Sequence, residues 1–314
     1  MVEVYNSSET RRFARRSDEN INWTKVHNSG EILSVTKDMI SKLNRLQREL
    51  PEGFLVDAAW LEARDYSSSL RSQYVKAGWL DQPARRVYRR TRGPLTWQQV
   101  VISLQILLDH PLTVGGRSAL EAQGYAHYLA GSVREVHLYG PTRPPTWLGD
   151  LPLDVTFRWH NSLRLFPDGP VPERNIDRPL PFGGGDLPPA PPGGFMLQSG
   201  GRVSWAVRYS SKERAVLELL DELPDRESFH QVDVLMEGLS DLSPRRLQEL
   251  LEACVSIKVK RLFLFFADRH RHPWRARLET SRIGLGTGKR ALVPGGKLDG
   301  HYQITVPADL HGAV

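Results

Sequence analysis

Apolar residues recur with two different periods along this chain, and the switches between them outline its elements. From Thr36 to Leu50, the residues Met39, Ile40, Leu43, Leu46 and Leu50 return at helical spacing behind a Ser/Thr cap, which predicts a first helix ended by Pro51. Asp57 is placed to cap a second helix carrying Ala58, Trp60 and Leu61, and the polar run from Tyr66 to Ser69 turns the chain into a third. In that third helix Leu70, Tyr74 and Ala77 fall on one face at about 100° per residue. Ser68, Ser72 and Lys76 are left facing away, with Arg71 and Val75 at the flanks. Gly78 stops the helix, and Trp79 and Leu80 begin a strand that returns at Val87 and Tyr88. Two short helices followed by a basic hairpin form the pattern of a winged helix-turn-helix that holds DNA.

A new helical stripe opens at Thr96 with Trp97, Val100, Val101, Leu104, Leu107 and Leu108. The Gly115-Gly116 pair reads as a loop entering a helix over Ser118 to Leu129, and VREVHLYGP reads as an alternating strand. Between Pro167 and Gly201 the chain turns Pro- and Gly-rich, too poor in contiguous apolar residues for a core element, which predicts a long mobile loop. RVSWAVRYS predicts a strand, followed by helices over Lys212 to Leu223, Ser228 to Leu239 and Pro244 to Ile257, the last behind a Ser243 cap. The run LFLFFA is a buried segment whose pattern leaves helix and strand both open. GKRALVPGGKLDGHYQITVP closes the chain as a two-stranded hairpin. The expected organisation is two-domain: a polar, basic tail over 1–35, a winged helix-turn-helix over 36–95, mostly α with a β wing, and a larger mixed α/β domain over 96–314.

Charge sharpens the first of these. The formal net charge is +6, and between Arg64 and Arg92 eight basic residues are opposed only by Asp65 and Asp81. A local positive surface of that kind seeks phosphate. Arg85, Arg86, Arg89 and Arg90 on the wing are expected to neutralise phosphates and position the module, while the third helix enters the major groove. There Arg71 is the leading choice for a bidentate guanine contact, with Ser68 and Ser72 as shorter-range readers and Lys76 on the backbone, and Ser69 is counted with them as DNA-binding. Gln73 is expected closer to the packed face. The tail's Arg11, Arg12, Arg15 and Arg16 suit either a solvated segment or an arm that follows the DNA.

Several other chemistries lose ground on spacing. Cys254 is the only cysteine, which excludes an internal disulfide framework or thiolate zinc cluster within one chain and reads as core packing. No apolar run approaches the ~18 residues of a membrane helix, so a cytoplasmic protein without a membrane partner is expected. Gly115-Gly116-Arg117-Ser118 resembles a nucleotide-holding loop, but no Asp-x-Asp follows in the next strand, and a tight turn packing a helix is the better account. GLGTGKR at Gly284 to Arg290 has Ile283 where a phosphate loop needs glycine and no Ser or Thr after Lys289, so it reads as a hairpin turn. His127, His137 and His160, or His270 and His272, lack the spacing and cysteine partners of a metal site. Ser118, Ser162 and Cys254 show no recognisable base and orienting acid. No catalytic residue, metal or cofactor is expected.

SQYVKAGWL at Ser72 to Leu80, VYRR at Val87 to Arg90, LTWQQVVISLQ at Leu95 to Gln105 and VGGRSALEAQGYAHYL at Val114 to Leu129 occur in an order that resembles the AbiEi antitoxins of type IV toxin-antitoxin systems. LGTGKR at Leu285 to Arg290 and YQITVP at Tyr302 to Pro307 resemble that family's ending, so the likeness runs from about Thr36 to Pro307. It implies a cytoplasmic bacterial protein with an N-terminal winged helix and a C-terminal antitoxin domain. Such a protein binds double-stranded DNA of its own promoter, at inverted repeats, and neutralises a nucleotidyltransferase-like AbiEii toxin associated with abortive infection by phage. The chain departs from the pattern in its long basic tail, and in having QPARR where a glycine usually precedes the wing's returning strand. Two rival classes stay open: a free-standing winged-helix regulator with a ligand-sensing C-terminal domain, and a transferase acting on the toxin or its target.

Overall fold

The computed structural model describes residues 41–90, 93–125, 135–169, 192–199 and 206–310. The chain divides into two compact units, 1–51 and 52–314. In the first, residues 41–49 are helical, and the Leu50 amide donates to the Leu46 carbonyl at 2.8 Å before Pro51 ends the run. The tail and its arginine cluster lie outside the described residues.

The second unit opens with strand β1 (Leu55–Asp57), helix α1 (Ala58–Glu62), helix α2 (Ser68–Lys76) and the hairpin β2 (Asp81–Ala84) and β3 (Val87–Arg89). Both helices start as their caps predict. Asp57 accepts from the Trp60 amide at 2.8 Å and Ser67 from the Leu70 amide at 3.3 Å. β3 sits between β1 and β2, antiparallel to both, and closes a three-stranded sheet. Phe54, Leu55, Val56, Leu61, Tyr66, Leu70 and Val87 fill the core of this module. The strand expected from Trp79 begins two residues later. In the hairpin turn Arg86 adopts φ 62°, the left-handed region, so the position where the resemblance implies a glycine is taken by an arginine.

Helix α3 (Trp97–Ile102) starts at a capping box made by Thr96 and Gln99 and runs on through a wider π turn over Ser103–Leu107. Ser103 explains part of that widening: its hydroxyl donates back to the Gln99 carbonyl at 2.6 Å and accepts the Leu55 amide of β1 at 3.0 Å. Further on, Gln105 accepts from the Arg208 amide at 3.0 Å and donates to the Leu112 carbonyl at 3.0 Å. One helix thus satisfies the edge of the small sheet and the interior of a larger one.

The larger sheet holds five strands in the order β6-β5-β4-β8-β7, namely β4 (Thr113–Val114), β5 (Glu135–Gly140), β6 (Thr156–Asn161), β7 (Phe195–Ser199) and β8 (Ala206–Ser210). β4 runs parallel to β8, β5 parallel to β6, and the other neighbours are antiparallel. Three expectations change here. β5 does not alternate, because five successive residues from Val136 to Gly140 are buried in a strand with neighbours on both edges and both faces covered. The Pro- and Gly-rich stretch is not loop to Gly201: Phe195–Ser199 is a strand whose Phe195 and Leu197 are buried and whose partner is β8, while 170–191 lie outside the described residues. β6, TFRWHN, was not expected at all, since its Arg and His break the apolar pattern of a strand.

Helix α4 (Gly116–Leu120) follows β4, and α5 (Lys212–Asp221) follows β8. Residues 126–134, which include His127 and the end of the expected helix to Leu129, lie outside the described residues. Then come α6 (Phe229–Gly238), α7 (Pro244–Ala253), α8 (Ile257–His270) and the hairpin β9 (Lys297–Asp299) and β10 (Ile304–Val306). The run LFLFFA resolves as helix: Ser256 caps α8 through the Val259 amide, and the helix is buried on every side over Leu262 to Ala267. α7 stops at Ala253, short of the expected Ile257, because Ser256 begins the next helix. Cys254 packs in that corner, 1% exposed, and burial raises its thiol to about 11, which makes it an inert core residue.

Candidate nucleic-acid interface

The sequence assigned four wing arginines and four residues of α2, together with Ser69, to DNA; the structure divides them into two groups. Ser68, Ser69, Ser72 and Lys76 lie exposed along α2, and Arg85 and Arg86 lie exposed at the tip of the β2–β3 hairpin. Arg71 does not. Its side chain is buried beneath α1, donating to the Tyr66 carbonyl at 2.9 Å and to Glu62 at 2.8 Å. The buried face of α2 is Leu70, Arg71 and Tyr74, so helical projection misplaced both Arg71 and Gln73, which is exposed. The projection treated charge as outward; a buried guanidinium with a carbonyl and a carboxylate to satisfy it is the exception that only packing reveals.

Arg89 is also internal, 7% exposed, with its Nε donating to Asp81 at 3.0 Å and a terminal nitrogen to the Gly93 carbonyl at 3.2 Å. Arg90 is held by Glu52 at 3.2 Å. Arg64 stacks over Trp60, 3.7 Å from the ring centroid. The basic cluster is therefore smaller than its sequence count: Glu62, Asp81 and Glu52 each take up an arginine, and among the described residues of the cluster the exposed positive groups are Lys76, Arg85 and Arg86, the last also 3.7 Å from Glu62, while Arg92 lies outside the described residues. Glu62 lies within residues 53–92 and Glu52 just before them, and a count begun at Arg64 leaves both out.

Behind this module, the motif that resembled a nucleotide-holding loop has its anion supplied from within. The Gly116 amide at the start of α4 donates to the Glu218 carboxylate at 2.9 Å, and the other oxygen of Glu218 accepts from the Ser210 hydroxyl at 3.1 Å and from Arg214 at 2.8 Å. Glu218 is fully buried. Gly115 and Gly116 are required by closeness: a Cβ on Gly115 would overlap Glu218 and lie 2.5 Å from the Tyr139 ring, and one on Gly116, where φ is 50°, would lie 2.8 Å from the Tyr139 hydroxyl. Arg117 pairs with Glu227 through two nitrogens and also reaches Gln231 at 3.1 Å. Ser118 links α4 to β5, donating to the Glu135 carbonyl and accepting the His137 amide at 3.0 Å.

His137 and His160, on adjacent strands, meet ring nitrogen to ring nitrogen at 3.0 Å, and His160 reaches Glu222 at 3.0 Å on its other side. Burial and the neighbouring His160 lower His137 to about 4. Glu222 is lowered to about 2: its own burial opposes this, and the His160 and Arg226 contacts overcome it. His270 contacts Asp233 at 2.8 Å and His272 the Met236 carbonyl at 2.6 Å. Among the described residues no group of three or more His, Cys, Asp or Glu is arranged to hold a metal ion. GLGTGKR is not a hairpin turn. It wraps Arg261, which donates to the Leu285 carbonyl at 2.8 Å and the Gly288 carbonyl at 2.6 Å. That loop offers oxygens to a cation, the reverse of a phosphate loop. Among the described residues no helix is long and apolar enough to cross a membrane.

Comparison with known proteins bears on both halves. The family described as "Transcriptional regulator, AbiEi antitoxin N-terminal domain" matches residues 39–131, and "Transcriptional regulator, AbiEi antitoxin, Type IV TA system" matches residues 197–307. No curated protein gives a significant match. Among solved structures, the Rv2827c protein of Mycobacterium tuberculosis is similar at 15% identity and a TM-score of 0.47, over 83% of this chain and 88% of that one. With its two family matches in order and together covering well over half its length, the chain belongs to the AbiEi antitoxins of type IV toxin-antitoxin systems, a family of transcriptional regulators.

Proposed function

We propose that residues 52–90 are a winged helix-turn-helix through which this antitoxin binds double-stranded DNA of its own promoter and represses it. The observation that carries the reading is the sorting of polar residues on α2 and the hairpin. One face of α2, with Ser68, Ser69, Ser72, Gln73 and Lys76, is exposed, while its Leu70, Arg71 and Tyr74 are buried. In this reading the exposed run enters the major groove, with Gln73 suited to adenine and the serines to either base, and Arg85 and Arg86 at the hairpin tip take phosphates. Arg71, Arg89 and Arg90 act indirectly, by holding α1 on α2 and the hairpin on its neighbours. Neutralisation of a cognate AbiEii-like nucleotidyltransferase toxin completes the proposal and rests on family membership.

The test is binding of the full chain to the DNA upstream of its gene and to scrambled DNA, across a salt series. Preference for the upstream sequence that persists as salt rises is expected. Arg85→Ala with Arg86→Ala should weaken both DNAs alike and reduce the salt slope by about 1 per lost phosphate contact, whereas Gln73→Ala should narrow the gap between them by ~1–3 kcal/mol. Equal, salt-labile binding to both DNAs would overturn the autoregulator reading.

A further inference from the structure

We infer that the α/β region carries a second anion site, a cleft along the edge strand β6 that takes a small phosphate-bearing ligand. The cleft has a volume of about 540 Å³ and is lined by Arg143, Arg158 and Arg226, with Glu135, Thr146 and Trp159 among the other walls. That volume lies within the roughly 300–1,000 Å³ of small-molecule clefts. Three guanidiniums from three separate segments converge on it: the turn after β5, β6 itself, and the loop between α5 and α6. Against them the lining holds one carboxylate, Glu135, so the cleft is net positive.

These arginines differ from Arg71 and Arg89. Arg226 is 54% exposed at its side chain and Arg158 36%; they pair with Glu222 and Glu135, of which only Glu135 lines the cleft. Arg143 lies over the Trp159 ring at 5.1 Å, and the buried Trp159 Nε1 donates to no acceptor. Both side chains stay open to solvent beside their carboxylates, so an incoming phosphate can add to these pairs without breaking them. Arginine forks and a threonine hydroxyl match the oxygens of a phosphoryl group, and Trp159 supplies a flat apolar wall. The size of the cleft favours a free phosphate ester over a nucleic-acid backbone.

The experiment is calorimetric titration of the full chain with ATP, with inorganic tripolyphosphate and with a ten-nucleotide single-stranded DNA. Comparison proteins are Arg143→Ala with Arg226→Ala, and Arg85→Ala with Arg86→Ala. Saturable 1:1 binding of ATP or tripolyphosphate is expected, weakened at least tenfold by the cleft substitutions and unchanged by the hairpin-tip substitutions, with melting temperatures matching the parent. Four outcomes overturn the inference: no saturable binding of either polyphosphate, polyphosphate binding unchanged by the cleft substitutions, loss on hairpin-tip substitution in place of the cleft, or dependence on the cleft arginines seen for the oligonucleotide alone. A Thr146→Val variant of unchanged melting temperature, with weaker tripolyphosphate binding, gives independent support.

Discussion

The module of residues 52–90 and the α/β region both depend on arginine and carboxylate pairs, but they place them differently. In the first, the arginines of the pairs under α1 and along β3 are buried while their carboxylates, Glu62 and Asp81, stay partly exposed, and a separate set of side chains on α2 and the hairpin tip is left for solvent. In the second, the densest pairing sits in the core, where Glu218 and Arg214 are 0% and 3% exposed and the glycine motif closes over them. The difference teaches that a basic or glycine-rich motif is not a ligand site until its internal partners are known. Arg71 and the Gly115-Gly116 turn both resemble ligand contacts in sequence, and both are satisfied by the chain itself.

The largest expected effect is at the centre of the buried network. Glu218→Ala strips the acceptor from the Gly116 amide, Ser210 and Arg214 and leaves a guanidinium buried without its charge partner, a loss of ~3–5 kcal/mol. Urea unfolding measures it, and a cost below ~1 kcal/mol would mean that water reaches Arg214. Gly115→Ala places a methyl against Glu218 and the Tyr139 ring, so overpacking of ~1–3 kcal/mol is expected in the same assay.

Arg71→Ala sharpens the contrast between internal and external arginines. It should destabilise by ~1–3 kcal/mol, because the Tyr66 carbonyl loses its buried donor. At temperatures where the variant stays folded, the ratio of upstream to scrambled DNA affinity should not change. A collapsed ratio with intact stability would return Arg71 to the role of base reader.

Acid should weaken the α/β region through its histidine pair. His137 is lowered to about 4 from an ordinary value near 6.5, so below 6.5 the unfolded chain binds a proton that the folded chain resists. Its contribution is complete above pH 6.5 and is lost as pH falls from there to about 4. Glu222, lowered to about 2, adds a second loss below about 4.5. Urea midpoints for the parent and His137→Asn between pH 7 and 4.5 separate the two: the parent should fall steeply, the variant little.

The smallest effect concerns the hairpin tip. Arg86→Gly relieves a left-handed backbone, offset by the freer unfolded chain, for a net gain of up to about 1 kcal/mol. The same change should lower DNA affinity on every sequence. Thermal unfolding and a salt titration on one sample distinguish the stability gain from the binding loss.

Sequence alone determined the elements whose signals are local. Asp57, Thr96, Ser243 and Ser256 each cap a helix through a side-chain bond to an amide three residues on, so α1, α3, α7 and α8 start where short-range chemistry puts them. Of these, the Ser256 cap is the least visible in sequence, because the apolar run after it hides the start. The order of family motifs was equally legible. What only the tertiary structure decided was long-range pairing: β6, with Arg and His in its run, and β7, set in a Pro- and Gly-rich stretch, are strands because of their partners β5 and β8. The fate of each charge belongs to the same class. Arg71 and Arg85 are alike in sequence, and one is buried and one exposed because a carboxylate nine residues away in the chain, Glu62, folds back onto the first. Charge counts see composition, whereas burial follows from which partner arrives within about 3 Å.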